Sequence, residues 1–235
     1  MLEIKNLHAG YGAFEVLFGI DLEVSNGQWV SLIGTNGAGK TTLLNTIAGI
    51  HDATKGEIWF RGTNITAFKP YEMYRLEIAY MAEGHPIFQN LTVKENLELG
   101  GIAVGLSSKQ QAQKLEENYH LFPFLKDRLK QRAGTFSGGE QQLLSLARCL
   151  MTNPKLILCD EPTLGLAPFM VKELFRILKY LHQQGTTLLM VEQNVEQALL
   201  FCDNAYVLEQ GMITLSGTGA ELLKNPDVQK AYLGY

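Results

Sequence analysis

Apolar residues in this chain gather into short runs that end on glycine, amide or acidic residues, with stretches of helical spacing between them. Trp29 to Ile33 is apolar apart from Ser31 and predicts a buried strand, and Thr42 to Ala48 predicts a helix after it. Upstream, Leu2 to Leu7 alternates apolar and polar residues and predicts an edge strand. Val16 to Val24 predicts another strand, and Asn26-Gly27 a hairpin-like turn. Residues 1–30 are therefore expected to form antiparallel β structure beside Trp29–Ile33. Downstream, Glu57 to Phe60, Ile65 and Ile78 to Met81 read as strands, and Pro70 to Leu76 as a short helix. Residues 92–133 carry helical patterning and no clear strand, with Thr92 and Glu95 spaced as a capping box. The polar stretch Lys109 to Tyr119 reads as a solvated helical face.

Helix resumes over Gln141 to Leu150, then Leu156 to Asp160 reads as a central strand. Pro168 to about His182 predicts an amphipathic helix through Val171, Leu174, Phe175, Leu178 and Leu181. Thr186 to Val191 is a buried strand and Val195 to Phe201 a helix. Ala205–Leu208 and Met212–Leu215 form a hairpin around Gly211, and Thr218 caps a helix to Leu223. A last helix runs from Asn225-Pro226 to near Gly234. This alternation predicts an α/β core with an N-terminal antiparallel β region and an inserted helical subdomain.

The junction after the first buried strand carries chemistry. Gly34-Thr35-Asn36-Gly37-Ala38-Gly39-Lys40-Thr41 is a glycine-rich turn ending in Lys-Thr, in the strand–loop–helix context of a phosphate loop. Glycines let backbone N–H groups point inward, and the helix start adds unpaired donors and a partial positive charge. Lys40 is placed to reach the β- and γ-phosphates of a nucleotide, with Thr42 just beyond, and the Thr41 hydroxyl suits Mg²⁺. Asp160 ends an apolar strand, where it can hold Mg²⁺ directly or through water. Glu161 is then placed to orient attacking water or take its proton. Tyr11, upstream of the loop, suits either stacking on an adenine ring or plain packing. Ser137 and Glu140 have capping-box spacing, and Gly138 and Gly139 bring backbone N–H groups to the helix start. That end is a ready anion site, although a capped helix alone also accounts for it.

Composition narrows the class. A chain of 235 residues suits one large domain, or one domain with a helical insert, and the net charge of −4 argues against a general nucleic-acid binder. Cys149, Cys159 and Cys202 are widely spaced and read as buried thiols of a reducing compartment. His85, between Gly84 and Pro86, reads as a loop or interface histidine, since no second ligand residue is near. No secretory leader is visible, and no apolar run approaches the ~20 residues that span a bilayer. Work at a membrane would therefore need a partner as anchor.

In this order, Gly34–Thr41, Phe136-Ser137-Gly138-Gly139-Glu140 and Leu156–Glu161 resemble the Walker A, signature and Walker B motifs of ABC transporter ATP-binding subunits. The resemblance covers the whole chain as one domain, residues 1–235, with the helical subdomain near 92–152. It implies a P-loop NTPase core of ABC type, ATP and Mg²⁺ as cofactors, and Tyr11 as the adenine-stacking aromatic. It also implies two such subunits meeting head to tail, each ATP held by one Walker A and the other subunit's signature helix.

Narrower runs are similar to the LivF-type branched-chain amino-acid importers: Glu161 to Pro168, Val191 to Asn194, Gly217 to Leu223, and Lys230 to Gly234. That likeness implies import of hydrophobic amino acids, with urea or short-chain amide importers as near relatives. It implies two permease subunits, a solute-binding protein acting indirectly, and a peripheral place on the cytoplasmic membrane face.

Departures from the wider family pattern are Phe136 and Glu140 in the signature, His85 for the arginine usual after Gly84, and Ala167 for the D-loop aspartate. Glu83 stands for the Q-loop glutamine, which touches Mg²⁺ or water, and Gln193 for the switch histidine. The set implies a heterodimer whose other ATPase carries more standard residues. Soluble ABC proteins of repair or translation usually have long coiled-coil arms or two fused ATPase domains, and this chain has one Walker A. No Asn-Lys-x-Asp motif of a GTPase occurs. A regulatory nucleotide-binding subunit with little turnover is the remaining alternative.

Overall fold

The computed structural model describes residues 1–84 and 87–233, except the side chain of Leu233. The readings of His85 and of Gly234 lie outside the described residues. The chain opens with β1 (Leu2–Tyr11), β2 (Phe14–Val24) and β3 (Trp29–Ile33), then α1 (Lys40–Ile47), β4 (Ala53–Phe60) and β5 (Thr63–Asn64). Next come α2 (Pro70–Met73), β6 (Ile78–Met81), and the helices α3 (Val93–Ala103), α4 (Ser108–Leu121), α5 (Pro123–Lys126) and α6 (Gly138–Leu150). β7 (Leu156–Asp160), α7 (Pro168–Gln183), β8 (Thr187–Val191) and α8 (Val195–Phe201) complete the core. β9 (Asn204–Glu209), β10 (Met212–Thr218), α9 (Gly219–Leu222) and α10 (Pro226–Val228) close the chain.

The strands make two sheets, one of four strands in the order β2-β1-β4-β5 and one of six in the order β10-β9-β3-β8-β7-β6. β3, β7 and β8 are buried at every position, which is what a strand covered on both faces requires. β3 has parallel neighbours on both sides, β8 and β9. Between the sheets lies α1, a helix buried nearly all round, whose Leu43, Leu44 and Ile47 join Leu2, Ile4, Leu17 and Ile20 with Leu156, Leu158 and Leu189 in one core. A second core joins the other face of the large sheet to the helical insert, through Leu97, Phe122, Phe136, Leu144, Leu174 and Leu178.

Two expectations are corrected. Leu2–Leu7 is not an edge strand: β1 is hydrogen-bonded to β2 on one side and β4 on the other. Its alternation reports one covered and one wet face, and says nothing about neighbours. Asn26-Gly27 is a turn but not a hairpin, since β2 and β3 belong to different sheets. The turn is held by a long-range bond instead, Gly27 N–H to Thr187 Oγ1 at 2.9 Å. β1 and β2 thus belong to a second layer, beside the sheet that carries the phosphate-loop strand. The capping boxes at Thr92/Glu95, Ser137/Glu140 and Thr218/Glu221 all form. Cys149 and Cys159 are buried and Cys202 half-buried, and all three thiols are free. Among the described residues no helix is long and apolar enough to cross a membrane.

Candidate active site

β3 ends at Ile33 between β8 and β9, so the loop that follows emerges where neighbouring strands diverge, the usual ligand position of an open α/β sheet. The loop cannot carry larger residues at its bends. A Cβ on Gly34 would stand 2.2 Å from the Leu208 carbonyl oxygen. Gly39, at φ 106°, serves as the N-cap of α1. The Lys40 ammonium donates to the carbonyls of Gly34 and Thr35 at 3.0 and 3.1 Å, folding across the loop's open side. Ala38 is buried and joins the loop floor: its N–H donates to Thr35 and its carbonyl accepts from Gly211.

Above the loop is a cleft of about 360 Å³. Asn36, Gly37, Gly39, Lys40, Thr41, Thr42, Glu83, Glu161 and Gln193 line it, from four separate stretches of the chain. Asp160 lies beneath, fully buried, where its Oδ1 accepts from the Thr41 hydroxyl at 3.1 Å. Burial pushes the Asp160 carboxyl up, against the hydrogen bonds from Tyr80 and Thr41. Glu161 Oε1 stands 3.6 Å from the Lys40 ammonium. Glu161 also has a left-handed backbone at φ 43°, rare for a residue with a side chain, and its N–H donates to the Val191 carbonyl at 2.9 Å. The end of β8 therefore holds the residue after β7 in a strained conformation.

Tyr11 stands beside the cleft, half exposed, with its hydroxyl 3.5 Å from Thr42 Oγ1 and its ring stacked on His51 at 4.5 Å. Ser137, Gly138, Gly139 and Glu140 do not line the cleft. They form the start of α6, where the Ser137 Oγ accepts from the Glu140 N–H.

Three participants were not singled out as site residues by the sequence. The Tyr80 hydroxyl lies 2.9 Å from Asn45 Oδ1 and 3.0 Å from Asp160 Oδ2, so it can steady the buried carboxylate. Only the pairing of β6 with β7 brings it there. His51 supports Tyr11 from behind and is fixed by a 2.6 Å bond to the Gly10 carbonyl. Glu192 is 1% exposed, and its carboxylate accepts from the Thr163 N–H at 3.1 Å and the Thr163 hydroxyl at 2.9 Å. It ties the end of β8 to the segment that follows Glu161.

Burial pushes the Glu192 carboxyl up to about 7, although the bonds from Thr163 work against the rise. The folded value exceeds the ordinary 4.5, so the group disfavours the fold progressively as pH rises from that value through about 7. The penalty, absent below pH 4.5, reaches on the order of 3 kcal/mol at pH 8. In Glu192→Gln the amide can accept from the Thr163 N–H and donate to its hydroxyl. That variant is expected to melt above the parent at pH 8 and level with it near pH 4.5, by calorimetry. An equal shift at both pH values would assign the effect to packing.

The donor set suits a nucleotide with its metal: a cation and the backbone N–H groups of the loop, and beside them a hydroxyl and a carboxylate already 3.1 Å apart. Comparison with known proteins agrees. Residues 17–164 match the ABC transporter family model. The chain is 45% identical over 234 residues to the high-affinity branched-chain amino acid transport ATP-binding protein BraG of Pseudomonas aeruginosa, covering 100% of both. It is 35% identical over 237 residues to the lipopolysaccharide export system ATP-binding protein LptB of Escherichia coli, covering 99% of this chain and 97% of that protein. Among solved structures, the ADP conformation of MJ1267, an ATP-binding cassette of an ABC transporter, superposes with a TM-score of 0.85 at 31% identity, covering 100% and 99% of the two chains. The chain belongs to the ABC transporter family, as a transport-coupled, ATP-hydrolysing subunit that uses ATP and Mg²⁺.

Proposed function

We infer that this subunit powers the import of branched-chain or other hydrophobic amino acids. The observation that carries the reading is the 45% identity to BraG along the whole chain, against 35% to the lipopolysaccharide exporter subunit LptB. The subunit would sit on the cytoplasmic face of the membrane, held by two permease subunits. A homologous second ATP-binding subunit would face it, and a solute-binding protein would act from the other side. The test is to purify the complex from native membranes, reconstitute it, and add candidate solutes on their binding protein. Leucine, isoleucine or valine is expected to stimulate ATP hydrolysis several-fold. Stimulation by urea or a short-chain amide alone, or by lipopolysaccharide, would replace this substrate assignment.

In this reading Lys40 and the loop N–H groups hold the β- and γ-phosphates, and Thr41, Asp160 and Glu83 hold Mg²⁺. Mg²⁺ supplies charge neutralisation to the phosphates. Tyr11 offers its free face to the adenine, with His51 behind it. Glu161 orients water or accepts its proton. Ser137 to Glu140 act on the nucleotide of the second subunit.

Gln193 sets this site apart. Its side chain faces the same cleft as Glu83, and a neutral amide cannot become a cation as charge builds on phosphate. The subunit's own site should therefore turn over more slowly than its partner's. Gln193→His is expected to raise kcat several-fold with little change in KM, because electrostatic stabilisation acts on rate more than binding. Site-resolved phosphate release, with the partner's catalytic carboxylate disabled, measures it. An unchanged kcat would show that Gln193 already has compensating neighbours.

A further inference from the structure

The first turn of α6 contains a carboxylate where an anion-binding helix start would be weakened by one. Glu140 Oε2 accepts from the N–H and the hydroxyl of Ser137, both at 2.9 Å. Its other oxygen, Oε1, accepts from Arg128 Nη1 at 2.5 Å. The arginine also lies over an aromatic face, with its guanidinium carbon 5.6 Å from the centroid of the Phe136 ring. Phe136 is 5% exposed and packs on Phe124 at 6.1 Å between ring centroids. One aromatic thus carries the cation that answers a carboxylate twelve residues further along the chain. Burial alone would push the Glu140 carboxyl up, but the bonds from Ser137 and Arg128 outweigh it and hold the group below its ordinary value.

The helix start offers N–H groups and a partial positive charge to an anion, and an uncompensated carboxylate in the same turn would oppose that anion. We propose that Arg128 is a positioning residue for the reaction: it neutralises Glu140, so that the start of α6 can accept the triphosphate bound by a second ATP-binding subunit. The two residues that depart from the common signature, Phe136 and Glu140, are then one unit with Arg128. The aromatic carries the cation and the cation cancels the acid. The proposal rests on the reading that the start of α6 faces the second subunit's ATP.

The experiment compares Arg128→Gln, Glu140→Gln, the double variant and Arg128→Lys in the reconstituted transporter, through kcat/KM for MgATP at low and high salt. Arg128→Gln is expected to lower kcat/KM about tenfold at low salt and less at high salt, since like-charge repulsion is screened. Glu140→Gln keeps the cap while removing the charge, so its kcat/KM sets the level against which the double variant is read. The double variant should return to the Glu140→Gln level, and Arg128→Lys should retain most activity. A double variant as poor as Arg128→Gln, or an Arg128→Gln variant with full activity, overturns the proposal. Ser137→Arg separates it from the reading beneath it. If that variant turns over normally, the start of α6 does not face nucleotide. If it is inactive and the Arg128→Gln defect is not rescued, only the charge pairing fails. Melting temperatures of all variants separate misfolding from lost function, since loss of the arginine's packing would lower the single and double variants alike.

Discussion

Lys40→Ala is expected to reduce ATP turnover of the assembled transporter by about a thousandfold, the upper range for loss of one preorganised electrostatic contact. Lys40 is 5% exposed, so its ammonium is fixed by the fold and needs little reorganisation when phosphate charge grows. Its removal takes the donor from two loop carbonyls and the cation from beside Glu161. A partly buried carboxylate left without that cation would also repel the phosphates. Because α1 is buried nearly all round, Lys40→Met is the companion variant: it keeps the aliphatic stem and should keep the melting temperature while losing turnover. Activity of both variants near that of the parent would remove Lys40 from the catalytic set.

Glu161→Gln is expected to leave MgATP binding within a fewfold of the parent while slowing single-turnover hydrolysis by roughly a hundred- to ten-thousandfold, the range of general-base catalysis. The substitution is clean in this setting. The left-handed backbone at residue 161 penalises glutamine much as it does glutamate, so strain is unchanged and only the charge is removed. The amide also leaves Lys40 without its neighbouring anion, which favours rather than hinders a bound triphosphate. Accumulated ATP should prolong the association of the two ATP-binding subunits, measurable by cross-linking or light scattering. An unchanged single-turnover rate would place the catalytic carboxylate elsewhere.

Much of the cleft was legible because its residues are fixed by local rules. Gly34 to Thr41 is marked by its own turn, and Asp160 ends a strand that can be recognised from the four apolar residues before it. Capping boxes depend on a spacing of three, so Ser137 with Glu140 was visible before any tertiary contact. What was not legible depends on partners distant in the chain. Tyr80 looks like any strand tyrosine until β6 is placed beside β7, and Glu192 looks like a strand-end polar residue until Thr163 covers it. The misreading of β1 has the same origin, since alternation specifies which face of a strand is wet and leaves its neighbours undetermined.

The tip of the β9–β10 hairpin bears on how far this catalytic unit can be trimmed. Gly211 donates to the Ala38 carbonyl at 3.0 Å and accepts from the Phe18 N–H at 2.8 Å. A Cβ on it would stand 1.9 Å from the Val16 carbonyl oxygen. A single glycine thereby rivets the nucleotide loop to the overlying sheet, from a position beyond residues 17–164, where the family's shared pattern lies. A fragment limited to that shared pattern would retain the Walker A, signature and Walker B motifs yet lose the rivet. The smallest piece of this chain able to keep its loop shaped therefore extends past Gly211, and domain grafts or circular permutations must carry the hairpin with the motifs.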